Sequence, residues 1–121
     1  MGEAAGRGSP IVQWTLSPEG AVQHSMDGGI TWQPVSTPEQ ALLRTLSAMS
    51  GDIWVGGKAG TLYHSADSGQ HWTRVIPEVN GERLTADVTR VSFNDPQNGA
   101  ISTSNGQLWT TSDGGHTWQR K

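Results

Sequence analysis

The sequence predicts an all-β protein built from repeated units of four antiparallel strands. Two observations carry this. One pattern recurs three times along 121 residues, and the composition holds sixteen glycines and six tryptophans while only 33% of residues are hydrophobic. Abundant glycine without a collagen period, beside many tryptophans, implies short aromatic-rich strands joined by tight turns. No stretch carries an amphipathic 3.6-residue period. The best helix candidate, "PEQALLR" at 38–44, is short enough to be one turn leading into a strand.

The recurring segments are "SMDGGITW" (25–32), "SADSGQHW" (65–72) and "TSDGGHTW" (111–118). They share the frame Ser/Thr-x-Asp-x-Gly-x-(Thr/His)-Trp. Their aspartates, Asp27, Asp67 and Asp113, are 40 and 46 residues apart. The match extends outward. Val22, Leu62 and Leu108 stand five residues before each Asp, and Gly20, Gly60 and Gly106 stand seven before. Trp14, Trp54 and Ala100 stand thirteen before. Such a period lies near the roughly 40–50 residues of a four-stranded β-propeller blade.

With the strands of a blade lettered A to D, the first repeat holds B near 11–16, C near 21–25 and D near 31–35. It has no A, because the segment ahead of Ile11 is too rich in glycine. The second repeat holds A near 42–48, B near 52–56, C near 61–65 and D near 71–76. In the third, A lies near 88–93, B near 99–103, C near 107–111 and D near 116–120. Turn signals separate B from C: Ser17-Pro18-Glu19-Gly20, Lys58-Ala59-Gly60 and Asn105-Gly106, the last being the strongest short hairpin signal. A polar loop is expected at 77–83. The chain thus reads as a flexible linker or tag remnant at 1–10 and a domain at 11–121, with blades at about 11–36, 40–77 and 84–121. That is about two and three-quarter blades. A closed propeller needs four to eight, so apolar end faces and an unpaired first B strand are expected. Two copies related by a two-fold axis would close six blades as a homodimer; the alternative is a monomeric open arc whose ends are covered by the N-terminal segment and the 77–83 loop.

Each residue of the recurring frame solves a folding problem. The Asp accepts backbone N–H groups of its own turn. The hydroxyl of Ser25, Ser65 or Thr111 is expected to bond that carboxylate or the turn backbone, and Thr31 and Thr117 to close the network from the other strand. His71 stands at the third closing position and predicts a weakened middle network. Gly29, Gly69 and Gly115 supply positive φ. Trp32, Trp72 and Trp118 are each expected to bury ~150–250 Å² against a neighbouring blade.

These segments resemble the Asp-box, or bacterial neuraminidase repeat, found in sialidases, sortilin-type receptors, some β-glucanases and the photosystem II assembly factor family. Over its length, with "GDIWVGGKAGTLYHSADSGQHWTRV" and "VSFNDPQNGAISTSNGQLWTTSDGGHTWQRK", the chain is most similar to the assembly factor type. The resemblance implies a β-propeller hairpin at each box. It also implies an extracytoplasmic module, as at the C-terminus of some membrane-anchored, anti-sigma-like bacterial proteins. It leaves activity open, since its families include enzymes, receptors and assembly factors.

Residue inventory narrows the functions. Eight Lys/Arg against eleven Asp/Glu, scattered without a run, argue against nucleic acid. No run approaches the ~18–20 apolar residues of a membrane helix, and "MGEAAGRGSP" lacks the apolar stretch of a signal peptide. Zero cysteines exclude disulfides and thiolate metal sites. His24 and His64 are equivalent in the repeat, and His71 and His116 lie in boxes, but no spacing implies three convergent zinc ligands. A sialidase would need an arginine triad and a tyrosine nucleophile. The one tyrosine, Tyr63, takes the place of Trp109 and Gln23 in the other repeats, which makes it a packing residue. Box carboxylates on successive blades are too far apart for a glycosidase pair. No catalytic, cofactor-binding or metal-binding residue is expected. Arg44 and Arg90, near the two A strands, and Trp109, the best candidate for an exposed aromatic, are the expected contacts to a ligand or partner. The leading expectation is a non-catalytic interaction or sensor module binding a protein or small extracytoplasmic ligand. The alternatives are a fragment of a carbohydrate-active propeller and an assembly factor for a photosynthetic complex.

Overall fold

The computed structural model describes residues 12–37, 43–49 and 51–120. The expected linker at 1–10 lies outside these. Three antiparallel sheets follow one another along the chain. The first has the order β1 (Gln13–Leu16), β2 (Val22–Ser25), β3 (Gln33–Pro34). The second runs β4 (Leu43–Met49), β5 (Asp52–Gly57), β6 (Leu62–Ser65), β7 (Thr73–Arg74). A small pair, β8 (Glu78–Val79) and β9 (Glu82–Arg83), precedes the third sheet. That sheet runs β10 (Val88–Phe93), β11 (Gly99–Thr103), β12 (Leu108–Thr111), β13 (Gln119–Arg120). Each neighbour in sequence is the neighbour in the sheet, so every sheet is a simple meander. This is the all-β, four-strand blade that the repeat predicts, and among the described residues the first blade holds three strands.

Three details differ from the sequence reading. The D strands are two-residue ladders, because the box turn occupies the residues expected to begin them. The expected loop at 77–83 contains the pair β8–β9, closed by Asn80 and Gly81 at φ 54° and 82°. Two successive left-handed residues make the turn that Asn-Gly favours between strands, a signal the sequence reading applied only to Asn105-Gly106. Of the helix candidate at 38–44, Leu43 and Arg44 begin β4, and the rest lies outside the described residues.

The blades bury their faces against each other. Along β5 the side chains alternate: Ile53 and Val55 enter one cluster with Val22, Leu43 and Tyr63, while Trp54 enters another with Leu62, Val91, Ile101 and Trp109. Alternation across a strand thus sends the middle blade's residues into both interfaces. Trp54 lies parallel to Phe93 at 4.4 Å and to His64 at 4.2 Å, with the Trp118 edge at 6.3 Å. Between blades, the Val91 N–H donates to Thr45 Oγ1 at 3.1 Å and the Phe93 N–H to Ser47 Oγ at 3.2 Å. Strand A of one blade is thereby tied to strand A of the next.

The leading face of the first blade departs from the expected apolar end. Gln13, Thr15 and Gln23 occupy the register positions that Ile53, Val55 and Tyr63 hold in the second blade. In the third blade the same positions are Gly99, Ile101 and Trp109. Polar side chains stand there because, in the described structure, no blade packs against them.

Candidate functional site

The three boxes build nearly the same network. In the first, Ser25 Oγ donates to Asp27 Oδ1 at 2.7 Å and accepts the Gly29 N–H at 2.8 Å. Asp27 Oδ1 accepts the Thr31 N–H at 2.9 Å, and Oδ2 accepts the Thr31 hydroxyl at 2.6 Å. Thr111, Asp113 and Thr117 repeat this at 2.8, 2.9 and 2.6 Å. In the middle box Ser65 Oγ donates to Asp67 at 2.8 Å and the His71 N–H reaches Oδ1 at 2.8 Å. His71 Nδ1 sits 2.5 Å from Oδ2. The expectation of a weakened middle box is therefore corrected: an imidazole nitrogen four residues on reaches the same oxygen as a threonine hydroxyl.

These donors hold the carboxylates in their charged form. Asp113 is lowered to about 2, chiefly by the Thr117 hydroxyl and N–H. Asp67 is lowered to about 2, chiefly by the His71 N–H and ring. The Thr31 hydroxyl and N–H hold Asp27 well below the usual carboxylate range. A carboxylate whose lone pairs are taken by its own turn, and whose proton affinity is lowered, is a poor general acid or base at neutral pH.

The box tryptophans divide by position. Trp118 is 7% exposed in the interface between the second and third blades, and Trp72 packs partly buried against the first interface. Trp32 is 37% exposed, contrary to the expectation that each would be buried, since it faces no blade among the described residues. The recurring geometry lies instead between a B-strand tryptophan and the box glycine of the next blade. A Cβ on Gly115 would meet the Trp54 ring at 2.5 Å, and one on Gly69 would meet the Trp14 ring at 3.2 Å. With φ of 91° and 83°, both positions need glycine for conformation and for closeness.

The expected contact residues fare unequally. Trp109 is 1% exposed, with the Arg120 guanidinium 5.5 Å above its ring, so it is a core residue and not an exposed aromatic. Tyr63 is buried at the equivalent position under Arg74. Arg44 and Arg90 lie on β4 and β10, the strands joined across the blades. They are not equivalent: Thr45 pairs with Gly56 where Arg90 pairs with Ser102. The register shift after Leu43 and after Val88 leaves Thr89 as the counterpart of Arg44. Arg44 Nη1 lies 3.8 Å from Asp87 Oδ2, and the Arg90 residue is exposed.

His64 Nε2 lies 2.6 Å from Asp52 Oδ1 while its ring stacks on Trp54. His24 stacks on Trp14 at 5.2 Å, but Val12 stands at the place of Asp52. Among the described residues no three His, Asp or Glu side chains group as metal ligands, and no helix is long and apolar enough to cross a membrane. A groove of about 560 Å³ runs along β1 and is lined also by Trp32 and by Leu46 and Ala48 of β4. Sequence reading did not single it out. Its signal was the missing A strand of the first repeat.

The family model described as Photosynthesis system II assembly factor YCF48 matches residues 9–121. A curated relative, the photosystem II assembly lipoprotein Ycf48 of Synechococcus sp. (strain CC9902), is 26% identical over 102 residues, 81% of this chain and 30% of its own length. The chain thus spans under a third of that relative. Two solved structures share the fold. YCF48 from Cyanidioschyzon merolae has a TM-score of 0.73 at 27% identity, covering 88% of this chain and 32% of its own. A structure described as YCF48 bound to D1 peptide has a TM-score of 0.75 at 22% identity, covering 88% and 35%. Three blades in the register of a propeller, matched over 9–121, place the chain in one family: it belongs to the Photosynthesis system II assembly factor YCF48 family.

Proposed function

We propose that the chain is a non-catalytic protein-binding module of the assembly-factor kind, which holds an extended segment of a membrane-complex subunit on its blades. The family match along 9–121 carries this reading. It favours the assembly role over a free-standing sensor. The locked box carboxylates argue in the same direction, because they leave the most regular acidic groups of the chain without a role as a glycosidase pair. An extracytoplasmic site of action follows from the same reading, since the Synechococcus relative is named a lipoprotein.

Arg44 and Arg90 are the cationic side chains best placed for an acidic client segment, on adjacent A strands. Arg44 is already shared with Asp87, so Arg90 carries the larger part. The test is fluorescence anisotropy of a labelled peptide from the D1 protein, the ligand in the related complex. The expected result is saturable binding that weakens several-fold in Arg90→Ala and with rising salt, as exposed charge pairs do. Absence of saturable binding at millimolar concentration, or equal binding of a scrambled peptide, rejects the proposal.

A further inference from the structure

The dipeptide Asn-Gly occurs three times, at 80–81, 98–99 and 105–106. In each, the main-chain nitrogen of the glycine can attack the side-chain amide carbon of the asparagine, because glycine has no Cβ to obstruct the approach. The N–Cγ bond forms, the bond from Cγ to the amide nitrogen breaks, and ammonia leaves with the glycine's amide proton. The product is a five-membered cyclic imide. Water then opens the ring at either carbonyl, giving aspartate or isoaspartate. No other reactant is needed, so the rate is set by how freely the two groups can meet. All three asparagines are exposed, so exposure does not separate them.

Hydrogen bonds do. Asn98 Nδ2 donates to Asp95 Oδ1 at 3.1 Å and Oδ2 at 3.0 Å, and the Asn98 N–H donates to Asp95 Oδ1 at 2.8 Å. Gly99 is paired on both sides, with Phe93 and Thr111, and a Cβ there would meet the Phe93 ring at 2.5 Å. At Asn105, the Thr103 hydroxyl donates to Oδ1 at 2.5 Å, and the Gly106 N–H donates to the Thr103 C=O at 3.1 Å. That turn joins β11 to β12 inside a four-stranded sheet. In both places the amide and the attacking nitrogen are held.

Asn80 differs on every count. Among the described residues nothing hydrogen-bonds its side chain or the Gly81 N–H. A Cβ on Gly81 would meet nothing within 4 Å. The pair forms the tip of β8–β9, a sheet of two strands with no third neighbour. The base of this hairpin is anchored, where the Leu84 N–H donates to the Pro77 C=O at 2.9 Å and both residues are buried. Beyond it lie only the pairs Glu78–Arg83 and Val79–Glu82. Glu82 Oε1 accepts from Arg120 Nη2 at 2.7 Å, an exposed ion pair that restrains the tip little. Attack requires Asn80 to rotate about its Cα–C bond out of the left-handed turn. The cost is fraying of those two pairs, which is small at such a tip.

We infer that Asn80 is the site at which the folded chain deamidates, well ahead of Asn98 and Asn105. Either product adds a negative charge to a hairpin that already carries Glu78 and Glu82. Isoaspartate at position 80 also puts one extra atom into the main chain of a two-residue turn, and the register of Glu82 with Val79 depends on that length. This site is separate from Arg90 and stands whether or not the D1 peptide binds.

The experiment incubates the intact chain at about 37 °C and about pH 8, then digests samples with trypsin and reads by mass spectrometry the gain of about 1 Da that turns an amide into an acid. Asn80 is the only asparagine of the fragment Val75–Arg83, and fragmentation of Val91–Arg120 separates Asn98 from Asn105. Asn80 is expected to convert about tenfold faster than either. In concentrated urea, where the turn restraints are gone, the three rates are expected to converge to within about threefold. Asn80→Gly, which keeps a residue suited to positive φ, is expected to remove most of the early ammonia release while Asn98 and Asn105 keep their rates. Equal rates in the folded chain, or earlier conversion of Asn98 or Asn105, overturn the inference. The same preference for Asn80 persisting in urea overturns it also, since the sequence and not the fold would then choose the site.

Discussion

Replacing Trp54 with alanine removes the side chain at the centre of the interface between the second and third blades. Trp54 is 1% exposed, its ring faces lie against Phe93 and His64, and its edge rests on Gly115. Deleting a side chain that buries roughly 200 Å², at about 25 cal/mol per Å², forfeits about 5 kcal/mol. Residual compactness of the unfolded chain trims that by about 10–40%. An expected loss of about 3–5 kcal/mol agrees with large core deletions in general. For a domain whose total stability is roughly 5–15 kcal/mol, this is a large fraction. Trp32→Ala should cost less than half as much, because Trp32 is 37% exposed and its loss leaves no enclosed cavity. Urea unfolding at 25 °C, followed by far-UV circular dichroism, measures both variants. Equal losses, or a Trp54 loss below about 1.5 kcal/mol, would refute the account of this residue as the centre of a buried blade interface.

Other consequences are open to test. Asp67 and Asp113 have folded values near 2 against an ordinary 3.8, and Asp27 is lowered in the same sense. A group depressed by folding adds stability above its unfolded value and loses it as pH falls through its folded value; the urea midpoint should stay level down to about pH 5 and drop between about pH 4 and 2. His71→Thr should change stability by no more than about 0.5 kcal/mol, because a threonine closes the other two boxes; a loss above about 1.5 kcal/mol in the same urea titration would show that the imidazole does something a hydroxyl cannot. Gly115→Ala should destabilise more than Gly114→Ala, whose Cβ would meet nothing nearer than the Pro96 carbonyl at 3.3 Å, although both residues have positive φ; equal midpoints would contradict the close-packing role of Gly115. Light scattering across a dilution series should report a mass near 12.9 kDa, since polar Gln13, Thr15 and Gln23 remove the apolar end face that motivated a six-bladed homodimer; a mass of twice that value would restore the homodimer.

Much of the fold was legible because each blade repeats local chemistry. The box positions, the B and C strands and strand A at Val88–Phe93 all follow from turn residues and period. Partners set by neighbouring blades were less legible. Trp109 reads as a surface aromatic until the second blade is seen to cover it. His71 reads as a defect until its ring nitrogen is found at the hydroxyl's oxygen partner. The inequivalence of Arg44 and Arg90 depends on a register shift that leaves no mark in residue type.

The departures from the repeat concentrate at its two ends, and their direction is informative. At the start, polar residues replace Ile53, Val55 and Tyr63. At the finish, Ala100 replaces Trp14 and Trp54, Thr110 replaces His24 and His64, and Lys121 follows where the other blades have Val35 and Val75. Interior positions keep the apolar pattern because both faces of the middle blade are buried. A terminal blade gains nothing from an aromatic on a face with no neighbour, and such a face favours aggregation. Among the described residues these two faces meet no blade, and their polar residues match that. The first blade then breaks this rule where Val12, Met26 and Ile30 are apolar and exposed. Loss of solubility is the ordinary cost of such exposure.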